Sequence, residues 1–105
     1  MAVEFPIGTK TIVFGRVANP VIPLLVQTRR GFVPFDFLID TGADCTMLPA
    51  SIAETEIGPH IVRLRCAFSS HEHSPLILGR LDLFSHFTLA FDNRRHVIRF
   101  TKLTR

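Results

Sequence analysis

The chain has 105 residues, which make one domain (residues 1–105) with a single core but are too few for two lobes. Hydrophobic residues make up 47% of it. No apolar run approaches about 18 residues, the length of a membrane helix, so a membrane partner is not expected. The net charge of +3 comes from scattered arginine pairs rather than one basic block, which argues against a nucleic-acid partner.

The two cysteines, Cys45 and Cys66, do not have the spacing of a metal site. The N-terminal sequence MAVEFPIGTK lacks the basic stretch and following apolar stretch of a secretory signal. We therefore expect reduced thiols, a cytoplasmic location, and no metal or other cofactor.

Strands dominate the predicted elements, because β-branched and aromatic residues are frequent and seven prolines punctuate the chain. A first strand is predicted at 11–17, and Asn19-Pro20 is expected to turn the chain after it. The next two strands, 21–28 and 32–39, are separated by a short Arg-Arg-Gly turn and are expected to form a hairpin.

Two segments are predicted to be helical. Ser51 can cap a short helix over 49–58, since Glu54 stands three residues further on and Gly58 would end it. The segment 80–87 is predicted to form a turn of helix. The remaining segments are predicted as a strand at 60–68, a polar loop at 69–75, a short strand at 76–79 and a terminal hairpin of 87–91 with 96–100.

The segment FLIDTGADCTMLP, residues 37–49, carries an acid out of an apolar run. A carboxylate at the end of a buried strand is costly unless it has partners or is protonated. Taken alone, Asp40-Thr41-Gly42 is most simply a turn in which Asp40 bonds nearby backbone N–H groups. A second acid, Asp44, follows two residues after Gly42, and a second apolar segment, ILGR at 77–80, lies downstream. The combination of these two segments is a far more specific sequence signal than either segment alone.

At these residues the chain resembles the retroviral-type (retropepsin-like) aspartic proteases, especially the single-domain cellular and bacterial members. The resemblance runs from about Val13 onward and is most specific in the Asp-Thr-Gly-Ala-Asp-x-Thr and Leu-Gly-Arg blocks. Together with the predicted elements, it implies an all-β, retropepsin-like acid-protease half-barrel with one or two short helices that is homodimeric. The implied activity is that of an aspartic endopeptidase acting on protein or peptide substrates, with an apolar preference around the cleaved bond.

The resemblance implies that Asp40 is the catalytic residue. Peptide hydrolysis without a metal needs a base that activates water and an acid that protonates the leaving nitrogen. Two carboxyls that share one proton supply both, since like charges a few ångströms apart do not both ionise. The chain has one such motif, so a homodimer with its two-fold axis between two copies of Asp40 would complete the pair.

The other site residues take their roles from the same resemblance. Thr41 would hydrogen-bond across the dimer, and Gly42 would let the substrate backbone approach closely. Asp44 would receive the substrate backbone and pair with Arg80, whose planar fork suits a carboxylate. Gly79 would pack tightly behind the active loop. The plainer alternative for Asp44 and Arg80 is a surface ion pair, worth about 0–1 kcal/mol.

Retropepsin-like proteases close over the substrate with a flap, a glycine-rich hairpin between the Asp-Thr-Gly turn and the apolar-apolar-Gly strand. Here only 36 residues, 43–78, separate Gly42 from Gly79, and the predicted elements use most of them. The flap is therefore expected to be much shortened or missing, which leaves an open cleft. Two functions remain: a minimal protease, or a catalytically weak or inactive dimeric peptide-binding or structural module on the same fold.

Overall fold

The computed structural model describes residues 2–68 and 75–104, and these residues form an all-β protein, as the sequence predicts. The strands are β1 (Ala2–Pro6), β2 (Gly8–Ile12), β3 (Gly15–Asn19), β4 (Val21–Thr28), β5 (Gly31–Ile39), β6 (Thr46–Leu48), β7 (Ile52–Ile57), β8 (His60–Phe68), β9 (Leu76–Leu78), β10 (Phe87–Asp92) and β11 (Val97–Lys102). Within the described ranges, nothing helical is long and apolar enough to cross a membrane.

Six strands close into a barrel in the order β4-β5-β9-β6-β8-β7, and β7 pairs back onto β4. Most neighbours are antiparallel, but β5 runs parallel to β9 and β6 runs parallel to β8. The predicted hairpin over 21–39 is confirmed, since β4 and β5 pair from Val21↔Leu38 to Thr28↔Gly31. The predicted strands at 60–68 and 76–79 are confirmed as β8 and β9.

The core lies inside this barrel and continues beneath a second, three-stranded sheet. Alternate residues of each barrel strand point inward, as the two-residue period of a strand requires. The buried apolar side chains contributed by the barrel are Ile22, Leu24, Val26, Phe37, Ile39, Leu48, Ala53, Ile57, Val62, Leu64 and Leu78. The second sheet has the order β1-β11-β10 and adds the fully buried Ile98 and Phe100. The predicted terminal hairpin is confirmed as β10 and β11.

The helix predicted over 49–58 is wrong. Residues 52–57 are strand β7, in which Ala53, Thr55 and Ile57 are buried and the residues between them are more exposed. The segment pairs with β8 on one side and β4 on the other, so barrel closure overrides the local helix signals. Gly58, expected to end a helix, adopts a φ of 59° in the two-residue turn that joins β7 to β8.

The helical turn predicted over 80–87 is also wrong, because the segment is a succession of hydrogen-bonded turns. The amide of Phe84 donates to the carbonyl of Arg80 at 3.0 Å, but Asp82 adopts a φ of 66°, which a right-handed helix cannot contain. The Asp82 carboxylate accepts hydrogen bonds from the Arg65 backbone N–H and guanidinium at 2.8–3.0 Å. The bond to β8 therefore stabilises the conformation that interrupts a helix.

The single strand predicted at 11–17 is wrong as well. The chain reverses at Val13 and Phe14, so β2 and β3 form a separate antiparallel hairpin with Gly8 opposite Asn19. Gly15 begins the returning strand with a φ of 124°, a conformation that favours glycine. The strand β1 was not expected from the sequence. The loop predicted at 69–75 falls, except for its last residue, outside the described residues.

Candidate active site

Asp40 stands at the end of β5, where hydrogen bonds to β9 and to Pro20 anchor the chain. Its backbone N–H donates to the carbonyl of Leu78 at 3.1 Å, and the N–H of Ile39 donates to the carbonyl of Pro20 at 2.8 Å. Ile39 and Leu78 are buried, whereas Asp40 itself is half-buried. The acid therefore leaves the barrel from a fixed position beside the parallel pair β5 and β9.

The loop itself orients the carboxylate of Asp40. The Gly42 N–H donates to Asp40 Oδ1 at 3.0 Å, and the Ala43 N–H donates to the Asp40 carbonyl at 3.1 Å. This is the Asx-type turn that the tripeptide alone predicts. A Cβ at position 42 would lie 3.3 Å from Asp40 Oδ1, which is tight. Oδ2 has no hydrogen-bond partner among the described residues, so it can bind water or a substrate.

The segment that contains Gly79 and Arg80 packs closely behind this loop. Gly79 is buried, and its N–H donates to the hydroxyl of the fully buried Thr46 at 3.1 Å. A Cβ on Gly79 would lie 2.3 Å from the backbone carbon and oxygen of Cys45, so only glycine fits. The next amide, that of Arg80, donates to the carbonyl of Ala43 at 3.0 Å. The two segments that carry the sequence motifs are thus interlocked through their backbones.

Asp44 and Arg80 meet on the surface of this interlocked unit. The Arg80 guanidinium contacts Asp44 Oδ1 and also reaches the carbonyl of Ala43. The Asp44 side chain is 91% exposed and that of Arg80 is 47% exposed, so the pair adds little to stability. Both groups remain accessible to a ligand. The structure therefore brings Asp40, Gly42, Asp44, Gly79 and Arg80 together in one place.

Thr41 points outward, toward an apolar surface of the second sheet. It borders a shallow depression whose other lining residues are Phe84, Phe87, Thr88, Leu89 and Phe91. Phe84 is 41% exposed and Phe91 is 48% exposed. Among the described strands β10 pairs only with β11, so its other edge is open. An open strand edge beside exposed aromatic rings is a typical site of association with another chain.

An apolar row lies on the outer face of the barrel next to Asp40, and the sequence did not predict it. Directly paired residues of neighbouring strands share a face of the sheet. The pairs Val21↔Leu38, Leu38↔Ile77, Ile77↔Met47 and Met47↔Ala67 therefore place five apolar side chains in one line across β4, β5, β9, β6 and β8. We call these five residues the apolar row. Only the strand register reveals it, since its members are far apart in sequence.

Between Asp40 and Gly79, the described residues contain one hairpin, β7 with β8, and it is built into the barrel wall. Its turn at Gly58 packs against the other sheet, where a Cβ would lie 2.4 Å from Val3 Cγ2. In the described part of this interval, no hairpin projects freely above Asp40. Pro49 and Ala50 join β6 directly to the bend that leads into β7.

Two cysteines lie near the site, and one of them, Cys66, lacks the features of a nucleophile. Both are free and half-buried. Burial, followed by the neighbouring Cys45, raises the pKa of the Cys66 thiol to about 11, so it is protonated at neutral pH. Within residues 2–68 and 75–104, no three His, Cys, Asp or Glu side chains gather as a metal site would require.

No protein-family model, curated protein or solved structure matches the chain. The likeness to retropepsin-like proteases therefore depends on the two short sequence blocks alone.

Proposed function

We propose that the protein is a retropepsin-like aspartic endopeptidase that acts as a homodimer, with one closed barrel in each protomer. The observation that carries the proposal is the unit around Asp40: a carboxylate with one oxygen held by the Gly42 N–H, on a loop locked by Gly79. The apolar row beside it offers a surface for apolar side chains of a peptide. Asp44 and Arg80 flank the same loop and are accessible to a substrate backbone.

The chemistry needs two carboxyls, of which each chain supplies one. With one Asp40 ionised and its twin protonated, the ionised carboxylate takes a proton from a water molecule as the water oxygen bonds to the peptide carbonyl carbon. The protonated twin donates its proton to the carbonyl oxygen. The resulting tetrahedral intermediate collapses when its C–N bond breaks: the leaving nitrogen accepts the proton that the first carboxyl took from water, and one hydroxyl of the intermediate returns its proton to the twin carboxylate. One shared proton places the activity optimum on the acid side of neutrality.

The exposed surface beside Thr41 supports the homodimer. In a two-fold interface the same patch of each copy meets itself, so the open edge of β10 and the rings of Phe84 and Phe91 would face their counterparts. Thr41 borders that patch and lies next to Asp40 in sequence. Association there would bring the two loops together and cover the exposed rings. The two free cysteines fit a reducing, cytoplasmic location.

A second candidate is a dimeric peptide-binding or structural module with weak or no catalysis. It is favoured by the β7–β8 hairpin, which forms barrel wall rather than a lid. A cleft open to water weakens the electrostatic interactions that catalysis uses. In this case the apolar row and the Asp44–Arg80 pair would still hold an extended peptide.

An Asp40→Asn variant tests the proposed activity. The wild type should cleave fluorogenic peptides with apolar residues at the scissile bond on the acid side of neutrality, as expected for a carboxyl pair sharing a proton. Asp40→Asn should lower kcat/KM by about 10²–10⁴-fold with an unchanged urea midpoint. Asp36→Asn, an exposed acid on the same strand, is the matched control and should be fully active. Equal activity of Asp40→Asn would exclude the aspartic mechanism.

Two further measurements separate the alternatives. A statine-containing peptide that binds tightly, one per dimer, supports the protease, whereas an inactive wild type that still binds substrate peptides supports the module. Sedimentation tests the dimer: Phe91→Asp should dissociate it and abolish cleavage. Ile61→Asp, which changes an apolar residue 59% exposed on β8, should leave the dimer intact. If the wild type cleaves peptides as a monomer, the mechanism with two Asp40 carboxyls sharing a proton across the dimer is excluded.

A further inference from the structure

The β2–β3 hairpin extends from the body of the protein, and we call it the arm (residues 8–19). Its base touches the body, since Ala18 packs against the core and borders a depression shared with Asn93 and His96. Among the described strands, β2 and β3 pair only with each other. All five residues of β2 are exposed, as are the first three of β3. The tip is apolar and almost fully open to solvent, with Val13 91% and Phe14 93% exposed. An apolar tip held out in water is costly unless it meets a partner.

The root of the arm is attached beside the candidate active site. Pro20, directly after β3, accepts the hydrogen bond from the N–H of Ile39, the residue before Asp40. Val21, the next residue, is the first member of the apolar row. On the other side, the N–H of Ile7 donates to the carbonyl of His96 at 2.9 Å, which fixes the chain before β2. The arm thus leaves the body at one end of the row.

The dimensions of the arm match those of the row. Each strand of the arm has five residues, which extend about 17 Å at about 3.3 Å per residue. The apolar row crosses five strands, which are about 4.8 Å apart, so it is about 19 Å wide. An arm that folded down from its root would therefore reach across most of the row. Its strands have open edges whose backbone groups can pair with an extended peptide.

We propose that the arm closes over a peptide bound along the apolar row, which is the work that a flap does in retropepsin-like proteases. This inference rests on the proposed peptide-cleaving function and names the part of the chain that holds the substrate. An open edge of β2 or β3 would pair with the peptide backbone, and Phe14 would cover apolar side chains from above. The occupant is an extended apolar peptide, because the arm is rooted at the row and no hairpin among the described residues between Asp40 and Gly79 covers it.

A single tryptophan at the tip tests the contact directly, since the chain contains neither Trp nor Tyr. A Phe14→Trp variant should show blue-shifted emission and reduced acrylamide quenching when a saturating, non-aromatic, statine-containing hexapeptide with apolar side chains is added. Ile61→Trp on the outer face of β8 is the matched control and should not respond. Calorimetry on the same samples measures peptide binding independently of the fluorescence.

The outcomes distinguish the arm from the proposed function. If calorimetry detects peptide binding but the Phe14→Trp emission does not change, the arm does not close over the peptide. The proposed peptidase function would be unaffected by that result. If the emission shifts with protein concentration in the absence of peptide, the tip contacts a second copy of the chain. That result would also contradict the inference. If calorimetry detects no peptide binding, both the arm and the peptide-cleaving function fail.

A shortened arm gives a kinetic readout. Thr9 and Ala18 lie opposite each other, so Asn-Gly can replace residues 10–17 and close a two-residue turn between them. Losing about two backbone hydrogen bonds to the substrate should raise KM about tenfold. The dimer dissociation constant should not change. An unchanged KM would contradict the inference, as would a loss of activity explained entirely by weaker dimerisation.

Discussion

The loop that carries Asp40 and the arm beside it differ in how firmly the fold holds them. Behind the loop, Gly79 has no space for a methyl group, and its amide is bonded to a fully buried hydroxyl. The arm pairs only with itself among the described strands, and its tip lies in solvent. The fold thus concentrates close packing around the carboxylate that we propose to be catalytic, which such a group requires. It holds less firmly the segment that we propose closes over a peptide.

The largest expected effect comes from filling the space behind the loop. In Gly79→Ala the new Cβ would lie 2.3 Å from the Cys45 backbone, which cannot move without disturbing Thr46 and Asp44. We expect a loss of about 3 kcal/mol in the free energy of unfolding, at the upper end for overpacking, together with loss of cleavage. Urea denaturation and a peptide assay measure the two effects.

Gly8→Ala at the root of the arm is the matched control. A Cβ there meets nothing within 4 Å, so stability should change by less than about 0.5 kcal/mol. If both alanine variants were equally stable, the contrast between the rigid loop and the free arm would be wrong.

The next effect concerns the turn that follows Arg80. Asp82 adopts a φ of 66° and bonds the Arg65 backbone, so Asp82→Ala should cost about 1–2 kcal/mol through backbone strain and a lost hydrogen bond. Asp82→Asn should cost less, because asparagine tolerates this φ and its carbonyl oxygen can still accept from Arg65 N. Thermal unfolding shows which of the two variants is more stable. An Asn variant less stable than the Ala variant would show that neither strain nor the backbone bond matters here.

The candidate site could be predicted from the sequence more completely than the fold around it. Asp40 and Gly42 are adjacent in the chain, so their turn is local, and the resemblance indicated that Asp44 and Arg80 would meet. The strand over 52–57 could not be predicted, because its alternation is short and Ser51 carries a competing helix signal. It becomes a strand through pairing with β8, the next strand in the chain, and with β4, which is distant in sequence.

Two other features that the sequence did not predict also depend on residues distant in the chain. The conformation of Asp82 depends on Arg65, which lies 17 residues earlier in the chain. The apolar row depends on register between five strands, and no local pattern records that register. The terminal hairpin, by contrast, is local in sequence, so its alternation and turn residues were sufficient to predict it.

A smaller, pH-dependent effect should appear in the second sheet, β1-β11-β10. Hydrogen bonds from Arg95 and Arg99 lower the pKa of Glu4 from 4.5 to about 2. The contribution of Glu4 to stability is therefore complete above pH 4.5 and is lost as the pH falls through 2. Urea midpoints from pH 7 to pH 2 should show Glu4→Gln less stable than wild type near neutrality, with the two converging at the acid end. A constant difference at every pH would contradict the assignment to this ion pair.

The smallest expected effect is on stability and comes from shortening the arm. The arm buries little and pairs only with itself among the described strands, so replacing residues 10–17 by Asn-Gly removes few contacts with the body. The free energy of unfolding should change by less than about 0.5 kcal/mol, since surface changes away from packed features rarely exceed that value. Urea denaturation at a fixed protein concentration measures it, with the dimer checked by sedimentation. A loss of several kcal/mol would mean that the arm is part of the folded core, and a segment bound that firmly could not open to admit a peptide.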